Sequence, residues 1–556
     1  MLSKISSVSP VGSFNKTLTA LLNENNIQIN SEEEFNELFP DLSNSTRYLE
    51  MMERISGTEE FVKRVEKLVN NRETALNKDI GILGDYDVDG IMGTVILMTL
   101  FSDLGFNVYQ HIPNRLTDGY GLTKKLAESP KALNAQLLIT TDTGISEKDV
   151  IDLLKRSGQP NIIVTDHHLP DDETVPEDVL IIDPKYNNDK FKDICGACVA
   201  LKLAHAVYQH YNMETPDVLV AFAGIATIAD MMPMLGENRV LVKEALSLIN
   251  KTKFDYDETL SPVFQLLKNL GGSKWLSSTE LATVDLISFF IAPNINAISR
   301  TSGNVNGFVR ELFNSIEYGT GYPSYVSKNI TRRNNTLDLI QKFEFDENSE
   351  VQIALFNESD FSFPIKGLTG IVANKISNSR NRVALAGHQR ADGTYDFSGR
   401  GIPGYNLYEG IMRISKDHPE LGITGGGHAS AMGIKISSKL DNALDIFKDL
   451  LNEDVKNNKT KISSSLYEFE EELEEEIIST LKYFEPYGQS FKPLTFQYTG
   501  LFSKYSATNA HIGDFNFRYF ATKEEQQLVG SNITVNFQIT FENPNAVTFK
   551  CQKGGD

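Results

Sequence analysis

Cysteine is scarce in this chain. Its 556 residues hold three, Cys195, Cys198 and Cys551. Three thiols cannot form a disulfide framework for a chain this long, which points to a reducing, cytoplasmic setting. Long apolar runs are missing too. The longest covers residues 218–229, contains Gly224 and Thr227, and stops at Asp230. A membrane span needs ~20 apolar residues, so no membrane partner is expected. The opening residues, Met1-Leu2-Ser3-Lys4-Ile5-Ser6-Ser7, lack the apolar core of a secretion signal. Positive charge is in deficit: 53 Lys plus Arg face 74 Asp plus Glu, a net charge of −21. That excludes a protein that coats nucleic acid with its whole surface, because phosphate binding needs local Lys and Arg. It leaves room for one local basic groove.

Apolar residues make up 40 % and charged residues 23 % of the chain, enough for several cores, so wholesale disorder is excluded. At ~150 residues per domain the length suggests three or four domains. Residues 1–78 form a polar, helical lead, with Leu49, Met52, Ile55, Phe61 and Val65 at loosely helical spacing. Over 79–304 the pattern changes to short apolar runs at 80–83, 137–140, 162–164 and 179–182. These end before Asp85, Asp142, Asp166 and Asp183, with helical stretches between them. Strands alternating with helices give a parallel α/β sheet, and such sheets bind ligands outside the carboxyl ends of their strands. Residues 305–348 read as one long polar connecting helix through Thr331-Arg332-Arg333. Residues 349–450 read as a second α/β unit, with strands at 351–356, 370–372 and 383–385 and a Gly-rich segment at 422–433. Residues 451–485 read as an acidic, amphipathic helical linker. Leu466, Phe469, Leu473, Ile477 and Leu481 share one side, and seven glutamates between 468 and 476 form a solvated face. From 486 to 556, runs at 494–502, 514–519, 533–539 and 546–550 alternate as a small β-barrel module. No repeat of fixed period appears.

The strongest chemical signal is Asp85-Tyr86-Asp87-Val88-Asp89-Gly90, three alternating carboxylates directly after an apolar strand. An EF-hand calcium loop begins the same way. It needs a glutamate at position 12 and a helix in front; here position 12 is Ile96 and the preceding segment is a strand. Three unliganded carboxylates in a row would repel one another, and hard cations resolve that repulsion. Asp142, Asp166 with His167 and His168, and Asp230 add donors at further strand ends. Any one strand-end Asp is ordinarily a helix cap; the group is not. Mixed Asp and His donors suit Mn²⁺, and Mg²⁺ also. They are too many for one structural zinc and suit two divalent cations sharing a carboxylate. Two metals ~3.5–4 Å apart are the usual device of phosphoester hydrolysis.

These four segments resemble, in order and spacing, the motifs of the DHH phosphoesterase superfamily. Ile112-Pro113-Asn114-Arg115 with Asp118-Gly119-Tyr120-Gly121, and Pro293-Asn294-Ile295-Asn296-Ala297 with Arg300, resemble segments of its RecJ exonuclease family. Ser398-Gly399-Arg400 and Gly425-Gly426-Gly427-His428 resemble the associated DHHA1 domain, and Phe484-Glu485-Pro486-Tyr487-Gly488 the entry to an OB-fold. After Asn296 the chain reads Ala297-Ile298-Ser299-Arg300 where the family leads through small residues into Gly-Arg. The resemblance implies a DHH domain at 79–304, a connecting helix, a DHHA1 domain at 349–450 and an OB-like module. It implies that Asp87 and Asp89 each bind one of two cations, that Asp142 bridges them, and that His167 and Asp230 complete the set, with Asp85 in the same motif. Asp166 would orient His167. His168 would contact the scissile phosphate. Arg115, Ser398 and Arg400 would hold a terminal 5′-phosphate, with Arg300 and His428 facing the substrate. The implied activity is metal-dependent 5′→3′ exonuclease action on single-stranded DNA in repair, recombination and replication, beside a single-strand-binding protein or helicase. Two alternatives stand: a phosphodiesterase acting on short oligoribonucleotides or cyclic dinucleotides, and a non-catalytic scaffold.

Cys195-Gly196-Ala197-Cys198 lacks the second pair a zinc site needs and lies in an apolar helical run, so packing cysteines are expected. The glycines at 425–427 suit either a turn or close approach to a phosphate backbone.

Overall fold

The structure is a computed structural model. It describes residues 16–41, 47–71, 79–119, 121–170, 173–254, 260–272, 278, 280–301, 305–319, 326–390, 392–437, 440, 442–460, 466–469, 474–506, 509–519, 525–543 and 546–551. Among them no helix is long and apolar enough to cross a membrane.

The first sheet is β1 (Ile80–Gly84), β2 (Val108–His111), β3 (Leu137–Thr141), β4 (Ile162–Thr165) and β5 (Leu180–Ile182), all parallel, in the order β2-β1-β3-β4-β5. The chain steps outward from β1 in both directions, so the switch point of the sheet lies between β1 and β3. β2 was not expected; it is a half-buried edge strand with little apolar signal. Helices α1 (Lys16–Glu24), α2 (Glu32–Leu38) and α3 (Thr58–Asn70) precede the sheet. After β1 comes α4 (Val88–Asp103), apolar on every side and buried on almost all of them. It packs against α5 (Gly196–His210) and α6 (Asp217–Ala229) on one face of the sheet. On the other face Leu83, Leu138 and Val164 meet Ile151 and Leu154 of the helix Lys148–Arg156. Both faces are therefore covered, as a parallel sheet requires. Cys195 and Cys198 are buried free thiols at the start of α5, and burial pushes the Cys198 thiol up to about 12, which suits packing.

Helix α7 (Gly236–Phe254) packs on α6, and α8 (Ala292–Thr301) leads out of this unit. The single connecting helix expected at 305–348 is two helices among the described residues, α9 (Val305–Glu317) and α10 (Val326–Gln341). α9 has an apolar face, Phe308, Val309, Leu312 and Phe313, that folds back into the first core rather than bridging. α10 alone reaches the second unit, where Leu339 is buried.

The second sheet is β6 (Val351–Phe356), β7 (Val383–Gln389), β8 (Tyr395–Arg400), β9 (Ile423–His428) and β10 (Ala431–Ile436), ordered β6-β7-β8-β10-β9. The strand expected at 370–372 is instead the first turn of α11 (Thr369–Arg380); Val372, Ala373 and Ile376 are its buried stripe, a spacing a three-residue apolar run cannot reveal. Helices α12 (Leu407–Asp417) and α13 (Ala443–Asn458) cover the opposite face.

The amphipathic helix expected in the 451–485 linker is, over 466–483, a strand and then a helix among the described residues. β11 (Tyr467–Glu468) pairs in parallel with the terminal module, Phe469 enters its core, and α14 (Glu474–Tyr483) follows. Leu473 and three of the seven glutamates fall outside the described residues. The module consists of β12 (Phe496–Tyr505), β13 (Asn509–Ile512), β14 (Phe515–Arg518), β15 (Asn532–Asn543) and β16 (Ala546–Cys551). β12 pairs with both β13 and β15, so the sheet closes into a small barrel consistent with an OB-like fold. β13 is the strand the sequence did not reveal.

The barrel docks on the first unit through Arg239 of α7. This side chain is 2 % exposed, lies against Phe39 and Phe491, and donates from Nη1 to Pro486 O at 2.8 Å and from Nη2 to Glu485 O at 2.6 Å. Arg239→Ala would leave those buried carbonyls unpaired. We expect a loss of about 2–4 kcal/mol in urea unfolding, with loosening of the joint read by proteolysis near 485–491.

Candidate metal centre and phosphate cleft

The acidic motif follows β1 at the switch point. A Cβ on Gly90 would lie 2.5 Å from Asp85 O, so glycine lets α4 start against the strand end. Asp87 caps α4, accepting from Asp89 N at 3.0 Å and Gly90 N at 3.2 Å. Asp89, 1 % exposed, points across to the start of α5 and accepts from Gly196 N at 2.6 Å and Ala197 N at 2.8 Å. A helix N-terminus is where a buried carboxylate is best tolerated. Gly196 also admits Asp142, whose Cβ would otherwise sit 2.6 Å from an added methyl.

Asp142 follows β3 with φ +58°, a strained left-handed conformation for a residue other than glycine. His167 follows β4. Its Nε2 lies 3.1 Å from Asp142 Oδ1, 3.5 Å from Asp89 Oδ2 and 3.7 Å from Asp230 Oδ2. Asp230 does not come from a strand end, as expected; it caps the C-terminus of α6, whose buried apolar run reads alike in either form. Three donor groups result, each with its atoms within 4.8 Å: Asp85, Asp87 and Asp142; Asp89, His167 and Asp230; and Asp142, His167 and His168. Asp142 is common to two of them.

The donor set fits divalent cations on its own chemistry. Asp85 Oδ1, Asp230 Oδ2 and His167 Nδ1 are buried without a hydrogen-bond partner among the described residues. Burial and then Asp87 push the Asp85 carboxyl well above its ordinary range. Burial and then Asp89 do the same for Asp142 and Asp230. Asp87 is raised by burial and Asp89. Burial lowers His167 to about 4, keeping a neutral imidazole with a lone pair to offer. Cations would reverse the carboxyl shifts.

Asp166 was expected to orient His167. Its carboxylate instead holds His168: Oδ1 is 2.7 Å from His168 Nδ1, and it meets His167 only through the backbone N–H at 2.8 Å. Burial lowers the His168 pKa, but the bond to Asp166 and the neighbouring carboxylates outweigh it and raise the ring to about 9. In the cation-free site this favours the protonated ring, whose side chain is 45 % exposed.

The two α/β units face each other across a cleft of about 310 Å³ lined by Tyr86, Arg115, Gly119, Lys366, Thr369 and Ser398, among others. Arg115 lies over the Tyr86 ring at 4.7 Å. Ser398 Oγ is 2.9 Å from Thr369 Oγ1 at the start of α11, and an added Cβ on Gly370 would reach Arg400 Nη2 at 3.0 Å. Arg300 of α8 donates to Gly367 O at 3.1 Å, tying the units together, and burial followed by Arg115 brings its pKa down to about 9, with Arg332 and Arg400 adding to it. Among the described residues none of these four arginines forms an ion pair; their bonds go to carbonyls, to an Asn side chain or, for Arg115, to the ring. His428 lies in β9, but its side chain, like Tyr120, is outside the described residues. Gly425 and Gly427 are required by the β9–β10 hairpin, where a Cβ would meet Gly433 O at 2.3 Å or Ala431 O at 2.4 Å. Only at Gly426 is there open space. Lys366 and Thr369 carried no sequence signal. Tyr86 lay inside the motif without an assigned role.

Residues 79–229 match the DHH family, N-terminal domain, and residues 365–453 match the DHHA1 domain. The chain is 30 % identical over 378 residues to a Salmonella typhimurium protein named single-stranded-DNA-specific exonuclease RecJ, covering 64 % of this chain and 63 % of that protein. It is 28 % identical over 423 residues to the Escherichia coli protein of the same name, covering 71 % and 69 %. The matched part thus spans somewhat under two thirds of the Salmonella relative. Its fold matches a Thermus thermophilus RecJ structure in complex with Mn²⁺, with TM-score 0.71 at 21 % identity over 97 % of this chain and 76 % of that one. A second structure, an exonuclease RecJ bound to manganese, gives TM-score 0.54 at 27 % identity over 72 % and 94 %.

Carboxyl groups with raised pKa values stabilise the cation-free fold below their unfolded value of about 3.9, and that contribution is lost as pH rises through the raised values. Protons and cations compete for the same oxygens. The rise in melting temperature produced by Mn²⁺ is therefore expected to grow between about pH 5 and about pH 8. The corresponding stabilisation should be about 2.7 kcal/mol per site at a hundredfold excess over Kd. Calorimetry showing equal shifts at both pH values would contradict this donor set.

Proposed function

The chain belongs to the RecJ-like DHH/DHHA1 family, and from that premise we propose that it is a metal-dependent 5′→3′ exonuclease hydrolysing single-stranded DNA. The observation that carries the reading is the meeting of two opposite charge clusters in one cleft. Carboxylates with buried, unpartnered oxygens lie near Arg115, which rests on Tyr86 between Asp85 and Asp87, and among the described residues Arg115, Arg300 and Arg400 form no ion pair. A phosphodiester needs both.

Asp87, Asp89, Asp142, His167 and Asp230 would hold two divalent cations, with Asp142 shared and Asp85 beside it. When bound, the cations supply the Lewis acidity that activates water and offsets charge on phosphorus. The residues themselves do the rest. Burial keeps His167 neutral so that Nε2 remains a donor atom. Asp166 fixes Nδ1–H of His168, leaving its protonated Nε2–H to donate to a non-bridging oxygen of the scissile phosphate, a charge-assisted bond that strengthens as negative charge develops. Arg115, Ser398 and Arg400, together with the N-terminus of α11 at Thr369, suit the dianionic 5′-terminal phosphate. Anchoring that end next to the cation site gives the 5′→3′ polarity. Arg300 holds the cleft to a width set by its bond to Gly367, which favours one strand over a duplex.

The test is hydrolysis of end-labelled single strands, with either end blocked, in Mn²⁺. The expected outcome is shortening from a free 5′-phosphate, and no activity on that substrate would end the proposal. Equal or faster turnover of dinucleotides would favour the short-oligonucleotide alternative. Asp142→Ala is expected to lower kcat at least about a hundredfold with the fold intact by circular dichroism. Arg115→Ala is expected to raise KM for 5′-phosphorylated strands about ten- to a hundredfold with a smaller effect on 5′-hydroxyl strands.

A further inference from the structure

Arg115 is held in an unusual way. It is a long, flexible cation whose charged neighbours include Asp85, which attracts it, and Arg300 and Arg400, which repel it. Among the described residues it forms no hydrogen bond and no ion pair. Its one recorded contact is with the face of Tyr86, with Cζ 4.7 Å from the ring centroid. That distance is within the range of a cation–π interaction, and a planar guanidinium stacks on an aromatic face better than an ammonium does. The ring is itself fixed. Tyr86 is 8 % exposed and stands between Asp85 and Asp87, on the turn that joins β1 to α4. The arginine proposed for the terminal phosphate is therefore referenced, through one ring, to two carboxylates of the cation site.

We propose that Tyr86 is a positioning residue: by holding Arg115 on its face it sets the preference for a 5′-terminal phosphate and the distance from that phosphate to the bond that is cut. This rests on the reading of Arg115 given above. The contact orders Arg115 before substrate arrives, so less side-chain freedom is lost on binding. Asp85 attracts the guanidinium from a distance, but no carboxylate forms an ion pair with it among the described residues, so the phosphate need displace none.

The experiment compares kcat/KM for 5′-phosphorylated and 5′-hydroxyl single strands in Mn²⁺. Tyr86→Leu keeps apolar volume and removes the aromatic face. It is expected to reduce the ratio of the two values about three- to thirtyfold, mainly through KM of the phosphorylated strand, and to release longer fragments beside the wild-type product. Tyr86→Phe keeps the face and is expected to retain the ratio within about twofold. In an Arg115→Ala background, Tyr86→Leu should change the ratio no further. A Tyr86→Leu protein that takes up Mn²⁺ normally by calorimetry and keeps the wild-type ratio and product overturns the proposal. If that variant fails to bind Mn²⁺, Arg115→Lys decides: it keeps the charge and loses the planar stack, and an unchanged ratio overturns the proposal. A wild-type enzyme indifferent to the 5′-phosphate would instead remove the reading of Arg115 on which the proposal stands, and the proposal with it.

Discussion

Repulsion between buried carboxylates is the constraint around which this molecule is arranged. Asp85, Asp89 and Asp142 are nearly inaccessible, and the group is close enough that the charge of Asp87 disfavours ionisation of Asp85, while that of Asp89 disfavours ionisation of Asp87, Asp142 and Asp230. Each is placed by a different device. Asp87 is spent partly on capping its own helix, Asp89 on the first amides of α5, and Asp142 on a left-handed turn that only tight packing would maintain. Gly90 and Gly196 are the openings through which the two helices reach the strand ends. What these devices leave over is Asp85 Oδ1 and Asp230 Oδ2, buried with no hydrogen-bond partner among the described residues, each within a donor group suited to a cation.

The same logic, with the sign reversed, explains the arginines. A chain of net charge −21 keeps Arg115, Arg300 and Arg400 out of ion pairs among the described residues, although acidic residues outnumber basic ones. Leaving three guanidiniums unpaired and partly desolvated costs stability unless an anion is to be bound there. Arg300 and Arg239 do related work in different places. One secures the second α/β unit through Gly367, the other secures the barrel through Glu485 and Pro486. In both cases arginine serves as a clasp to backbone carbonyls, so the joint consumes no acidic side chain.

Much of the first unit was legible because its strands are short apolar runs closed by a polar residue, a pattern with little else to mean. The runs at 80–83 and 137–140 differ from β1 and β3 by a single residue at the end. Legibility failed where burial and period disagree. Residues 218–229 are apolar but for Thr227, so no period in them separates helix from strand, and a strand ending at Asp230 reads the same as the helix that Asp230 caps. Residues 370–372 have a β-branched pair, but the buried stripe they belong to continues at Ala373 and Ile376. Phe469 was placed on a helix face by spacing; packing against Phe496, Phe537 and Phe549 draws it into the barrel and makes Tyr467–Glu468 a strand.

The donor types and their order along the chain were fixed locally: three carboxylates after one strand, then Asp142, then Asp166-His167-His168, then Asp230. Residue type and spacing suffice for that, because a metal site is recognised by its donor chemistry. Which atoms meet is a property of the tertiary structure alone. That Asp166 holds the ring of His168 but only the backbone N–H of His167, that Asp89 rests on α5, that Thr369 and Lys366 stand beside Ser398, and that Tyr86 carries Arg115 all join residues far apart in sequence or on opposite sides of a turn. Such contacts arise from the packing of elements against one another, and no local pattern encodes them.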